Sequence, residues 1–268
     1  MADHSPIITL TTDFGFADGT VGAMIGVIKS ICPQAEVVNL ATDIPPQDVH
    51  RGAWALFQAA PFFPSGTIHV CVVDPGVGSA RRGLLVVTDH GQFIGPDNGV
   101  LSWAWRGLIR RQCSTLENPS YRIARVGVTF DGRDLFAPAA AYLASGADPA
   151  SFGSEVNDPM ELEWPDPVRG ADTISGEILV IDHFGNLITN VTLAQAADAF
   201  GDQPFAVHLP GGATASFVGH YAGIRGELGA VVNGSGLIEI AARNRSAAEV
   251  TRIHRGANIL LEKEGDRE

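Results

Sequence analysis

A carboxylate and a guanidinium lie seven residues apart around a glycine-rich turn that follows an apolar segment. Asp74 ends the predicted strand Thr67–Val73, and Arg81 follows the turn that contains Gly76 and Gly78. Open α/β sheets bind ligands at the carboxyl ends of their strands, and glycines let the backbone approach a small molecule closely. An Asp-Pro turn with a surface ion pair would use the same residues, so this segment alone leaves both interpretations open.

Carboxylates also stand at two other predicted junctions between elements. Asp13 ends the predicted strand Ile7–Thr12, Asp18 precedes a predicted helix, and Asp131 opens the last helix of the first half of the chain. One ionised carboxylate can accept hydrogen bonds from both hydroxyls of a ribose diol. A turn residue at Asp13 and a helix cap at Asp18 are the alternatives.

Two turn-rich segments border strands in the second half of the chain. Asp182–Asn186 contains Phe184, whose ring can stack on a flat ligand, and Asn233–Ala241 contains Ser235. The eight histidines are scattered without the spacing of metal ligands, so no metal and no cofactor is expected.

The elements that must position these residues change in character along the chain. Strand-like and helical segments alternate up to about residue 160, which predicts an at least partly parallel sheet with helices packed on it. A stretch rich in Pro, Glu and Asp then predicts a linker, and short strands predict a small β-barrel or sandwich. The predicted boundaries are 1–160 for the first domain, 161–172 for the linker and 173–268 for the second domain.

Charge and cysteine content restrict the partners and the compartment. The 268 residues carry a formal net charge of −12 without any Lys/Arg-rich run, which argues against nucleic acid and anionic membranes as partners. No apolar run approaches the roughly 18 residues of a membrane span, and the amino terminus lacks the regions of a signal peptide. Cys32, Cys71 and Cys113 are odd in number and far apart, as in a cytoplasmic protein with reduced thiols.

Six motifs, taken in order, resemble those of the S-adenosylmethionine hydroxide adenosyltransferases, which are related to fluorinase and chlorinase. They are Thr-Asp-Phe-Gly at 12–15, Asp-Pro-Gly-Val-Gly at 74–78 with Arg81, Gly-Pro-Asp-Asn-Gly at 95–99, Thr-Phe-Asp-Gly-Arg-Asp at 129–134, Asp-His-Phe-Gly-Asn at 182–186 and Ser-Gly-Leu-Ile-Glu-Ile-Ala at 235–241. The resemblance implies an N-terminal α/β sandwich domain with a largely parallel sheet, followed by a small C-terminal β-barrel. It also implies a homotrimer with active sites between one subunit's first domain and its neighbour's second, and hydrolysis of S-adenosylmethionine to adenosine and methionine.

The same resemblance implies roles for the substrate-binding residues. Asp13 would hold the ribose hydroxyls, and Asp18 and Asp182 would engage the methionine ammonium or nearby ribose groups. Phe184 and Asn186 would meet the adenine, and the turn around Ser235 would meet the methionine carboxylate.

The attacking water is held, in the hydrolases that this chain resembles, by an Asp, an Arg and a His. Asp74 and Arg81 match two of these, but Asp131 stands where the family has histidine. We hypothesise that Asp131 accepts the water's proton or a hydrogen bond from the water. Two carboxylates near one water repel each other, and Arg81 offsets part of that repulsion.

Three other functions compete with hydrolysis. A halide adenosyltransferase would share the scaffold, but Asp74 would repel a halide ion, and the halogenases carry a tyrosine at the matching position. A non-catalytic binder or sensor of adenosyl compounds would explain the missing histidine. A metal-dependent phosphohydrolase would use Asp13, Asp18 and Asp74 as ligands, although no phosphate-cradling motif accompanies them.

Overall fold

The structure, a computed structural model, describes residues 5–124 and 127–264. The chain divides into unit 1, Met1–Leu162, and unit 2, Glu163–Glu268. Within the predicted linker, residues 168 and 169 form a short strand, since Gly170 N–H donates to the Thr173 carbonyl at 2.8 Å and closes a hairpin. Among the described residues, no helix is long and apolar enough to cross a membrane.

The described residues of unit 1 form a six-stranded sheet with three α-helices. The strands are β1 Ile7–Thr12, β2 Glu36–Ala41, β3 Ile68–Val72, β4 Gly83–Thr88, β5 Gln92–Pro96 and β6 Arg110–Thr115, and the helices are α1 Thr20–Ile31, α2 Val49–Ala59 and α3 Ala137–Ala144. The strand order is β2-β1-β3-β5-β4-β6, in which β2, β1, β3 and β5 run parallel, whereas β4 is antiparallel to β5 and β6. The predicted largely parallel sheet is confirmed.

Apolar side chains on one face of α1 cover this sheet. Val21, Met24 and Ile28 are buried at helical spacing and pack in one core with Ile8 and Leu10 of β1. The helix begins after Gly19, whose φ is 69°, and no side chain caps it. Asp18 is therefore not the cap of this helix, which was one of the two interpretations of that residue.

A π-helical turn follows Asp131, where the sequence predicted the start of a helix. It spans Gly132–Phe136 and leads directly into α3, with Ala137 N–H donating to the Gly132 carbonyl. Pro138 follows, and because proline has no N–H it cannot complete a regular hydrogen-bond ladder here. Asp131 immediately precedes the turn, and turns of this kind occur often at functional sites.

Unit 2 is an antiparallel, nearly closed barrel. Its strands are β7 Val168–Arg169, β8 Thr173–Ile181, β9 Leu187–Thr192, β10 Phe205–His208, β11 Thr214–Ser216, β12 Leu228–Val232, β13 Leu237–Ala242 and β14 Asn258–Lys263, and its helices are α4 Leu193–Phe200 and α5 Ala247–Thr251. The order is β11-β10-β14-β8-β9-β13-β12, with β7 paired to β8. The two ends of this order meet where Val218 N–H donates to the Ala230 carbonyl at 2.8 Å, so the predicted small barrel is confirmed.

Both α4 and α5 begin with a side-chain cap. Thr192 and Gln195 form a reciprocal capping box at the start of α4. The Ser246 hydroxyl accepts from Glu249 N–H at 3.1 Å at the start of α5. The second cap fixes the residues just before α5, which border the pocket of unit 2 described below.

Candidate active site

Asp74, Arg81 and Asp131 form one ion-pair cluster at the sheet edge of unit 1, called here the Asp–Arg–Asp cluster. Arg81 Nε donates to Asp74 Oδ1 at 3.0 Å and to Oδ2 at 2.9 Å, while Arg81 Nη2 donates to Asp74 Oδ2 and, at 2.6 Å, to Asp131 Oδ2. The side chains of Arg81, Asp74 and Asp131 are 12%, 4% and 5% exposed. One guanidinium thus bridges two largely buried carboxylates that lie 57 positions apart in the chain.

The loop after β3 brings the guanidinium back onto Asp74. Val77 N–H donates to the Asp74 carbonyl at 3.2 Å, and Gly78 has a φ of 82°, which few residues other than glycine adopt easily. The Arg81 guanidinium carbon lies 5.3 Å from the centre of the Phe136 ring, within cation–π distance. Burial disfavours the charge, but the carboxylates outweigh this effect and raise the pKa of Arg81, which stays protonated.

Gly132 lets the segment that carries Asp131 approach the end of β1. A Cβ atom at Gly132 would lie 3.0 Å from Phe14 Cε2 and 3.3 Å from Met24 Sδ, so a larger residue would push the π-helical turn outward. The neighbouring Arg133 pairs with Asp134, its Nε lying 2.6 Å from Asp134 Oδ1. Asp134 is therefore occupied as a partner of Arg133, and Asp131 is the carboxylate that joins the cluster.

The two residues of unit 1 that were predicted to bind the substrate, Asp13 and Asp18, differ in burial. Asp13 follows β1, which pairs in parallel with β3, so Asp13 and Asp74 lie at the same edge of the sheet. Asp13 is half-buried, and its Oδ2 accepts from Gln47 N–H at 2.8 Å. Asp18 is exposed in the turn before α1. Sequence reasoning assigned no role to Asn98, whose Nδ2 donates to the Val73 carbonyl at 2.9 Å and fastens the strand end that carries Asp74.

A polar cavity of about 290 Å³ adjoins the Asp–Arg–Asp cluster. Its lining includes Arg81 and Asp131 of the cluster, together with Glu117 and Arg122. A cavity of this size holds water readily when polar groups line it. The cluster therefore borders space in which a water molecule can be bound by charged side chains.

The segment Asp182–Asn186 forms a tight turn between β8 and β9 in unit 2. Asp182 Oδ1 accepts from the N–H groups of Phe184 and Asn186, each at 2.8 Å, and Asp182 Oδ2 accepts from Asn186 Nδ2 at 3.0 Å. These bonds fix the turn and leave Phe184 75% exposed. A protruding aromatic ring over a rigid turn suits stacking on a planar ligand.

A pocket of about 760 Å³ lies beside this turn in unit 2. Phe184, Asn186 and Tyr221 line one part of it, and the segment Arg243–Ser246 lines another. Concave, partly apolar pockets with a few polar side chains are typical small-molecule sites. Both Phe184 and Asn186, which sequence reasoning assigned to one ligand ring, thus line a single pocket.

Sequence reasoning missed both Tyr221, which lines this pocket, and Glu239, which is buried behind it. Glu239 is 2% exposed, and its Oε1 accepts from the Tyr221 hydroxyl and, at 3.3 Å, from Asn186 Nδ2. Burial, and then the charge of Asp182, raise the pKa of Glu239; burial and Glu239 raise the pKa of Tyr221. The available signal was an acidic residue inside the apolar strand β13.

Ser235 is separated from Asn186 by the length of a strand. Leu193 N–H, just after β9, donates to the Gly236 carbonyl at 2.9 Å, whereas Asn186 directly precedes β9. The two residues thus flank opposite ends of a six-residue strand, roughly 20 Å long. The structure brings Asp182, Phe184 and Asn186 together and leaves Ser235 apart from them.

Comparisons with known proteins agree across both units. The models for the N-terminal and C-terminal domains of SAM hydroxide adenosyltransferase match residues 8–153 and 176–260. The chain is 43% identical over 186 residues to an (R)-S-adenosyl-L-methionine hydrolase of Salinispora arenicola, covering 68% of this chain and 71% of that protein. An (R)-S-adenosyl-L-methionine hydrolase of Thermus thermophilus is 37% identical over 264 residues, covering 93% of this chain and 97% of that protein.

More distant sequences share the same architecture. Curated fluorinases match at 25% to 28% identity. A crystal structure of an uncharacterized conserved protein from Thermotoga maritima superimposes with a TM-score of 0.88 at 28% identity, covering 96% of this chain and 100% of that one. The chain belongs to the SAM hydroxide adenosyltransferase family, because the models of both of that family's domains match it, one in each unit.

Proposed function

We propose that this protein hydrolyses S-adenosyl-L-methionine to adenosine and L-methionine by attack of water on the ribose C5′ carbon. The observation that carries this proposal is the Asp–Arg–Asp cluster, in which Arg81 pairs with both carboxylates and in which Arg81 and Asp131 line a cavity that can hold water. Curated relatives named as hydrolases of this compound, at 33% to 43% identity, support the same reaction.

The proposed reaction needs a positioned nucleophile more than an acid. The water oxygen forms a bond to C5′ while the C5′–S bond breaks. The electron pair of the C5′–S bond goes to sulfur, which leaves as the neutral thioether of methionine. Because the leaving group is neutral, no residue has to protonate it. The water loses one proton, and Asp131 or Asp74 is placed to accept it or to accept the hydrogen bond that precedes its loss.

The charge of the cluster suits this substrate. Two carboxylates and one guanidinium give a formal charge of −1, which attracts a sulfonium cation and draws the protons of a bound water toward the carboxylates. Arg81 is held against both oxygens of Asp74, with Nε donating to Oδ1 and Nη2 to Oδ2, so it acts as a rigid spacer between the carboxylates. Binding energy from the rest of the substrate then orients C5′ toward the water.

The remaining residues supply contacts for an extended substrate. We assign Asp13 to the ribose hydroxyls, the pocket with Phe184 and Asn186 to the adenine, and the turn with Ser235 to the methionine carboxylate. Asp18 and Asp182 are assigned to the ammonium or nearby ribose groups. Adenine and the amino acid lie at opposite ends of S-adenosylmethionine, which suits the separation of Asn186 from Ser235.

The assembly and the location form part of the same proposal. A homotrimer whose active sites combine unit 1 of one subunit with unit 2 of its neighbour would unite the two sets of residues. Light scattering coupled to gel filtration measures the mass and tests this assembly. The cytoplasm suits the three buried cysteines, all of which are free thiols.

Binding without catalysis is the second candidate function. It is favoured by one observation, the aspartate at position 131 where histidine stands in the proteins that this chain resembles. Halide transfer is disfavoured because both Asp74 and Asp131 would face a halide ion at the position of the water.

One experiment separates these functions. Purified protein is incubated with S-adenosylmethionine in oxygen-18 water with chelator, once without halide and once with added chloride, and the nucleosides are analysed by mass spectrometry. Adenosine that carries oxygen-18 supports hydrolysis at C5′. Halogenated nucleoside in the chloride arm would support halide transfer, and tight binding measured by calorimetry without any product would support the sensor.

A further inference from the structure

We propose that Glu239 is a positioning residue that makes the pocket of unit 2 selective for a purine with a 6-amino group over one with a 6-oxo group. This inference rests on the proposed function, because it concerns the base of the same substrate. In this proposal, Glu239 determines which end of the Asn186 amide faces the ligand.

The amide of Asn186 has both of its N–H groups occupied. Asn186 Nδ2 donates to Asp182 Oδ2 at 3.0 Å and to Glu239 Oε1 at 3.3 Å. Carboxylates offer only acceptors, so an amide that faces two of them must present its NH₂ end. This settles the orientation of the amide on chemical grounds, because the reverse orientation would set Asn186 Oδ1 against two carboxylate oxygens.

Only the amide oxygen then remains for a ligand. Asn186 lines the pocket, and across the described ranges 5–124 and 127–264 its Oδ1 accepts no hydrogen bond. An acceptor pairs with a donor: the 6-amino group of adenine donates, whereas the 6-oxo group of hypoxanthine or guanine accepts. Asn186 Oδ1 therefore accepts a hydrogen bond from a 6-amino group and repels the oxygen of a 6-oxo group.

Glu239 is itself held in place. The Tyr221 hydroxyl donates to Glu239 Oε1, and the side chain is buried on β13. A proton on the other carboxyl oxygen would leave Oε1 an acceptor, so the raised pKa of Glu239 does not weaken the arrangement. We therefore expect the base preference to stay constant with pH, and a glutamine at this position to preserve it.

Asp182 is unsuited to testing the idea, but Glu239 is well suited. Asp182 also accepts from the N–H groups of Phe184 and Asn186, so its replacement would disrupt the turn. The Glu239→Met variant keeps an unbranched side chain of similar size and removes the acceptor. The Glu239→Gln variant keeps the acceptor and serves as the matched control.

The test measures the dissociation constants of adenosine and inosine by calorimetry for the wild type and for both variants, with thermal melts to establish folding. We expect the wild type to bind adenosine at least about tenfold more tightly than inosine, and Glu239→Gln to keep that ratio. Glu239→Met should lower the ratio about fivefold to tenfold, since one of the two bonds that orient the amide is lost.

Defined results would overturn the proposal. These are a wild type that binds the two nucleosides equally or binds neither, and a folded Glu239→Met variant that retains the full ratio. The wild-type ratio remains decisive if Glu239→Met does not fold. Failure of hydrolysis is distinguishable, because a protein that binds adenosine selectively without cleaving S-adenosylmethionine would refute the proposed function and leave this inference supported.

Discussion

Replacing Asp131 by asparagine tests the chemical core of the proposed mechanism. Asparagine keeps the shape and one acceptor oxygen but removes the charge and the ability to take a proton. Asp131 Oδ2 is 2.6 Å from Arg81 Nη2, so the change turns the formal charge of the cluster from −1 to zero. The remaining carboxylate, Asp74, still contacts Arg81 through both of its oxygens and still offers an acceptor to the water.

The substitution should lower both the rate and the stability. A positioned base contributes about 10²- to 10⁴-fold. Because Asp74 remains, we expect kcat for Asp131→Asn to fall by about 10²-fold, which corresponds to about 2.7 kcal/mol in the barrier. The loss of one charge-assisted hydrogen bond should lower the free energy of unfolding by about 1 to 3 kcal/mol.

The assay measures release of oxygen-18 adenosine under saturating substrate, beside thermal melts of the same samples. Two matched variants accompany Asp131→Asn. Asp131→His restores the residue type of the resembling hydrolases and should keep activity, whereas Asp202→Asn removes an exposed carboxylate in unit 2 and should change nothing. A folded Asp131→Asn variant with an unchanged kcat would refute the role of Asp131 as proton acceptor.

Further outcomes follow from the same contacts. Arg81→Lys keeps the positive charge but loses the paired bonds from Nε and Nη2 to the two oxygens of Asp74, and steady-state kinetics should show kcat reduced by at least about tenfold. Gly132→Ala places a methyl group 3.0 Å from Phe14, so chemical denaturation should show a loss of about 1 to 3 kcal/mol. Burial, and then nearby His90, lower the pKa of His69 from 6.5 to about 4. Between pH 6.5 and about 4, His69 is therefore protonated in the unfolded chain but neutral in the folded one. The free energy of unfolding should therefore fall by roughly 3 kcal/mol as the pH drops from about 6.5 to about 4, and urea titrations of His69→Asn should show a flatter dependence over that window. Chelator should leave the rate of adenosine formation unchanged, and a loss that added metal restores would contradict the proposed chemistry.

The sequence was most informative where a buried strand meets a polar residue. The strands before Asp13 and Asp74 were predicted within one residue of their observed limits, because short runs rich in β-branched residues and bounded by turn residues allow few other interpretations. Strand β6 was missed because it begins Arg110-Arg111-Gln112, whose exposed or half-buried side chains at the sheet edge hide its pattern.

Contacts between distant residues lay beyond the reach of sequence reasoning. That Asp131 joins Asp74 depends on Arg81 reaching across 50 positions, which spacing along the chain does not determine. Glu239 was quoted within a motif but given no role, because an acidic residue in a strand ordinarily faces water. The role proposed for Glu239 depends on the pairing of β13 with β9 and on the loop that carries Tyr221.

The π-helical turn at Gly132–Phe136 also bears on how this protein can change over evolution. Such a turn holds one residue more than the α-helical turn that it replaces, and its hydrogen bonds are less favourable. Because the turn absorbs this residue locally, the same residues in a regular α-helix would rotate everything before the turn by about 100° relative to α3 and carry Asp131 away from Arg81. A substitution that drives this segment into a regular α-helix would therefore dismantle the cluster even where it improves the helix.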